Sequence, residues 1–197
     1  MTARTADPRV VPLFVERWSP RAFDGTPVAA DDLQVIFEAA ALAPSAFNYQ
    51  PWRFLYAVSG DANWDLFVSL LMPFNASWAR AAGALVIVIS DRQMKLGGDP
   101  KANPNHSFDA GAAWALLALQ ATALGYHAHG MAGIDQDRIR TELAIPDDFH
   151  IEAAVAIGRK GDPESLPEAL RAREVPSGRH PVARFTAAGA FTALPQD

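Results

Sequence analysis

The chain has 197 residues with a formal net charge of -5, and half of them are hydrophobic. This is the composition of a globular chain able to bury a sizeable core, and it offers no basic face of the kind a nucleic-acid partner requires. With no cysteine, disulfides, thiolate metal sites, iron–sulfur clusters and a cysteine nucleophile are excluded together. In chain order, residues 1–16 read as an arm or short first helix whose Val10, Val11, Leu13, Phe14 and Val15 call for a packing partner. Arg17–Val28 is polar, with an Asp24-Gly25 turn signal. The spacing of Leu33, Ile36, Phe37, Ala40 and Ala41 predicts an amphipathic helix over Asp31–Ala43, stopped by Pro44. A polar loop, Ser45–Gln50, leads into an aromatic-rich strand, Trp52–Val58.

A helix is expected over Asp61–Leu71, closed by Pro73, and a strand over the β-branched run Ala84–Ser90. Asp91–Ser107, with Gly97, Gly98, Pro100 and Pro104, reads as a long loop. Phe108–Leu124 predicts a helix apolar nearly all round, with Gly125 as its C-terminal stop. A short strand at Tyr126–Met131, a helix at Asp135–Leu143 capped by Asp135 and a strand at Ile151–Ile157 complete the pattern. The tail from Lys160 is rich in Pro, Arg and Gly; in its last part, 182–197, Val182, Phe185, Phe191 and Leu194 suit packing on a second subunit. No repeat or linker divides the chain, so one α/β (α+β) domain over 1–197 is expected. The N-terminus has no signal-peptide core, and the longest apolar stretches, Ala81–Ile89 and Ala110–Leu119, fall short of the roughly 18 residues of a membrane span. The reading is cytoplasmic, without a membrane partner.

The dinucleotide fingerprint G-x-G-x-x-G, the phosphate-binding P-loop, the G-x-S-x-G elbow and H-E-x-x-H are all missing. Two other segments stand out. Arg17-Trp18-Ser19-Pro20-Arg21-Ala22-Phe23 sets two guanidiniums four residues apart around a hydroxyl, and a planar fork of donors suits phosphate or carbonyl-rich rings. Pro44-Ser45-Ala46-Phe47-Asn48-Tyr49-Gln50-Pro51-Trp52 presents a hydroxyl and amides between a helix and a strand, which suits a heterocycle. Taken singly, the first is as well explained by a solvated basic turn and the second by a helix stop. His127 and His129 share one side of a strand, but no acidic residue lies at ligand spacing, so no metal site is expected.

Together, in this order and separation, RWSPRAF and PSAFNYQPW resemble the opening of the nitroreductase family of FMN-dependent oxidoreductases. The resemblance extends more weakly through the ALVIVIS strand, the Asp109 helix start, Gly130-Met131-Ala132-Gly133 and the late Arg179-His180-Pro181, so it covers about Arg17 to Pro181. It implies a central mixed sheet flanked by helices in an intertwined homodimer, with FMN at the subunit interface. It further implies NADH or NADPH as electron donor and a small oxidised organic molecule (a nitro compound, quinone or similar) as acceptor. By the same resemblance Arg17 meets the FMN phosphate or ribityl chain, with Trp18 and Ser19 beside it, and Arg21 lies at the pyrimidine end. Pro44, Ser45, Ala46 and Asn48 reach the flavin from the partner subunit, Asn75 touches the ring, Met131, Ala132 and Gly133 lie near N5, and Arg179 binds the phosphate.

Two departures from the family pattern, Ala46 for a hydroxyl and Ser177 for a basic residue, imply one lost hydrogen bond and a thinner phosphate set. No side chain need act as acid or base, because the protein supplies orientation and charge. The substrate face is expected beside the Asp91–Ser107 loop or aromatics such as Phe74, Trp78 or Phe108. Competing readings are a flavin-binding dimer with another reaction, such as flavin cleavage or reductive dehalogenation, and a non-catalytic flavin-binding dimer.

Overall fold

The computed structural model describes Arg4 and residues 6–193. Residues 1–3, 5 and 194–197, and with them Leu194, lie outside the described residues.

The fold is organised by β2, Ala84–Asp91, which is buried along its whole length. A strand apolar on both faces needs cover on both, and it receives it. Strand β1 (Trp52–Val58) pairs on one side of β2 and β6 (Phe149–Gly158) on the other, with β5 (His127–Met131) at the far edge beyond β6. Within the chain all three pairings in this sheet are antiparallel. Antiparallel neighbours need no crossover helix between them, so the helices are free to be distributed over the two faces.

One face carries α2 (Ala30–Ala41) and α5 (His106–Ala123), packed on Trp52, Val86, Val88, Val155 and Ile157. Leu33, Ile36 and Ala40 are the buried stripe of α2, at the spacing its periodicity predicts. The other face alternates Leu85, Ile87, Ile89, Ala154 and Ala156 against α3 (Trp64–Ser69) and α4 (Pro73–Ala79). Further along the chain, α6 (Gln136–Glu142) buries Ile139 there and α7 (Glu168–Arg171) buries Leu170. Each large aliphatic side chain sealed in these two layers contributes about 1.5–3 kcal/mol. Asp135 caps α6 by accepting the Arg138 backbone N–H at 3.1 Å.

The arm contributes a short helix, α1 (Pro12–Glu16). Two local expectations are corrected, and one feature is added. Pro73 does not merely end a helix: it occupies the first turn of α4, where its missing N–H costs nothing. The Asp91–Ser107 segment is not wholly irregular, since β3 (Gln93–Met94) and β4 (Lys101–Ala102) pair as a small hairpin. And β6 carries a bulge: Val88 faces Ala153 while Ile89 faces Ile151, leaving Glu152 as the extra residue.

Candidate functional site

The edge strand β5, the Arg17–Phe23 segment and the tail enclose a cavity of about 400 Å³. Five arginines line it: Arg4, Arg17, Arg21, Arg173 and Arg179. Trp18, Ser19, His129, Val175 and Ser177 complete the wall. A second cavity of about 430 Å³ shares Arg17 and Ser19 with the first and is otherwise largely apolar, bounded by Phe14, Trp114 and Leu119. A cationic cavity therefore adjoins an apolar one, and both have the size of a small-molecule site.

The charges are poorly neutralised. Among the described residues no carboxylate forms an ion pair with Arg4, Arg17 or Arg179. Burial first, and then the neighbouring Arg179, hold the Arg17 guanidinium below its ordinary value. Arg4 is lowered by burial and then by Arg179 and Arg17. The carboxylate nearest the group, Glu174, is turned to the backbone: it accepts the N–H of Arg21 at 2.8 Å and of Ala22 at 2.9 Å. Arg21 is lowered by burial and by Arg173, and Glu174 only partly offsets this.

Arg21 lies over the Trp78 ring at 5.9 Å, and Trp78 packs on His129 at 4.6 Å between ring centroids. His129 Nδ1 is bonded to the Pro20 carbonyl at 2.8 Å, which ties the first motif to the sheet edge. Three buried side-chain nitrogens lack a partner among the described residues: Arg21 Nε, Trp78 Nε1 and His127 Nδ1. Arg21 lines this cavity, and Trp78 and His127 pack behind it on the lining residues His129 and Trp18. Buried donors are rarely left unmade, and a cluster of them beside unpaired cations marks a place shaped for an anionic, hydrogen-bonding ligand.

The structure thus brings together Arg17, Trp18, Ser19, Arg21 and Arg179. It also joins Asn75 to Gly133, whose carbonyl accepts the Asn75 Nδ2–H at 2.9 Å. An added Cβ on Gly133 would stand 2.6 Å from that amide nitrogen, so glycine here is a matter of space. Met131 is buried at the end of β5. The Pro44–Asn48 loop is not among the residues lining the arginine cavity of its own chain. Its Ser45 Oγ accepts the Gln50 N–H, its Ala46 N–H donates to Asp109, and Phe47 and Asn48 are held exposed with φ of +54°. Trp78 is corrected as a substrate-face aromatic, for it is 2% exposed and wedged between Phe23 and His129. Phe74 and Phe108 are exposed.

Sequence reasoning missed Arg4 and Arg173, which carry no local signal beyond their charge. It also missed a second polar cluster at the other end of β2. There Ser90 Oγ contacts His106 Nδ1 at 2.7 Å and donates to Glu152, and Ser107 Oγ donates to the same carboxylate at 2.8 Å.

These features sit in a recognisable frame. The family model of the nitroreductase family matches residues 15–65 and 70–159. The chain therefore belongs to the nitroreductase family, and it is an oxidoreductase of that family. The crystal structure of an oxidoreductase containing FMN superposes with a TM-score of 0.92 at 52% identity, covering 95% of this chain and 96% of that one. A 15.4 kDa protein of Mycolicibacterium smegmatis is 36% identical over 116 residues, 58% of this chain and 76% of its own. An oxygen-insensitive NADPH nitroreductase of Helicobacter acinonychis is 33% identical over 85 residues, 43% of this chain and 40% of its own.

Proposed function

We propose that this chain is an FMN-dependent oxidoreductase that passes electrons from NADH or NADPH to a small oxidised organic substrate such as a nitro compound or quinone. It works as a cytoplasmic homodimer with the flavin at the subunit interface. The observation that carries the reading is the cavity of unpaired guanidiniums, in a chain half identical to an FMN-containing oxidoreductase.

The residues present fit the group. A phosphate dianion is the counter-charge that Arg17 and Arg179 lack, and arginine forks bind it through charge-assisted hydrogen bonds. Ser19 adds a hydroxyl beside Arg17, and Trp18 closes that wall. Arg21 supplies a fixed positive charge, and its partnerless Nε a donor, toward the pyrimidine end, where charge accumulates on reduction. Asn75 and Gly133, with Met131 and Ala132 before them, form the support for the ring. Pro44 and Asn48 are exposed on their own chain, Ser45 and Ala46 are half-buried beside them, and this loop completes the partner's site. When bound, FMN would supply the redox chemistry that links a reduced nicotinamide to the oxidised acceptor. The side chains orient, exclude water and hold charge; none acts as acid or base.

Visible absorbance of the purified protein tests this. Flavin bands that bleach on anaerobic addition of NADPH or NADH are expected, and the faster nucleotide identifies the donor. Bands that persist with both donors, or no bands after soaking with FMN, overturn the proposal.

A further inference from the structure

We propose that Arg4, carried in by the N-terminal arm, is a third cation of the phosphate end of this site, so that the arm serves as part of the cofactor-binding wall. The inference rests on the FMN reading above.

Arg4 is brought 173 residues along the chain to the tail: its Nε donates to the Ser177 carbonyl at 3.0 Å. Arg179 Nη1 donates to the same carbonyl at 3.1 Å, which sets the two guanidiniums side by side. On its other side Arg4 donates to the carbonyls of Val15 and Arg17. Three cations, Arg4, Arg17 and Arg179, thus line one cavity; Arg4 feels Arg179 and Arg17 as repulsion, and Arg17 feels Arg179.

Hydrogen bonds to carbonyls fix the position of Arg4 without neutralising it. If its task were only to strap the arm to the tail, a neutral donor would avoid that repulsion. With Nε and Nη1 engaged by carbonyls, Arg4 offers its Nη2 donors and a fixed charge beside two like charges, which is what a dianion between them requires.

Equilibrium titration of wild type, Arg4→Gln and Arg4→Lys with FMN and with riboflavin, which lacks the phosphate, separates the possibilities. Arg4→Gln is expected to weaken FMN about tenfold, the size of one charge-assisted contact, and to leave riboflavin within about twofold. Arg4→Lys, which keeps the charge and loses the fork, falls between wild type and Arg4→Gln. Raising the salt concentration narrows the difference between wild type and Arg4→Gln. Riboflavin affinity doubles as the control for folding. Unchanged FMN affinity in Arg4→Gln overturns the proposal and leaves the FMN reading standing. Equal weakening of FMN and riboflavin also overturns it, by making Arg4 a structural strap. Failure of the wild type to bind FMN overturns both.

Discussion

Two polar clusters lie near opposite ends of the sheet, and they are built on opposite principles. Around Glu152 the charges and hydroxyls close on one another: Ser90, Ser107 and the nearby His106 converge on a single carboxylate, and the bulge in β6 supplies the extra residue that carries it there. Around Ser177, Arg4, Arg17 and Arg179 converge with no carboxylate among them. A cluster that satisfies itself stabilises the fold. A cluster that leaves cations facing cations and buried donors unmade is tolerated only because something else completes it. The difference separates structure from function here better than polarity or burial does, since both clusters are polar and partly buried.

The comparison breaks most sharply at Arg17. Arg17→Gln is expected to weaken FMN by about 10–100-fold, the loss of a charged hydrogen bond to phosphate. Because it also relieves repulsion with Arg179, the melting temperature of the flavin-free protein should not fall. Fluorescence titration with FMN and thermal melts of the flavin-free form measure the two halves. A drop in melting temperature with FMN affinity unchanged would reverse the assignment of the two clusters.

The mirror experiment is Glu152→Ala. Two hydroxyls lose their shared acceptor, one of them on the fully buried Ser90, so stability should fall by about 1–3 kcal/mol in denaturant unfolding. FMN affinity should stay within about twofold. A loss of flavin binding instead would mean that the Glu152 cluster also takes part in the site.

The smallest expected effect is one of pH. Burial, with Arg21 adding to it, holds His129 below the usual imidazole range, so the folded state binds fewer protons there than the unfolded chain. The stability this contributes is complete above the ordinary imidazole value and is lost as pH falls through it toward the lower folded value. Melts between pH 8 and pH 5 should show the decline, and His129→Gln should flatten it. An identical slope in the variant would place the acid sensitivity elsewhere.

Much of this was legible in the residues. Trp52–Val58 is a strand with the bounds its aromatic-rich composition suggests, and the β-branched run ALVIVIS is the strand it was expected to be. Asp135 capped the helix it was expected to cap. Arg17, Ser19 and Arg21 were visible because RWSPRAF and PSAFNYQPW together resemble the family's opening, where either segment alone was explained by a turn. Pro73 shows the limit of a local rule, since proline both stops one helix and starts another, and only the packing of Trp78 against Phe23 and His129 selects the second.

The sequence by itself determined the α/β character, the individual helices and strands and the pair of motifs that mark the family, because periodicity and short-range chemistry are properties of neighbouring residues. Tertiary structure alone decided that Arg4, Arg17 and Arg179 share one cavity and that Glu174 turns to the backbone. Whether a charge is paired depends on which distant segments the fold brings beside it, and no local pattern in the chain encodes that.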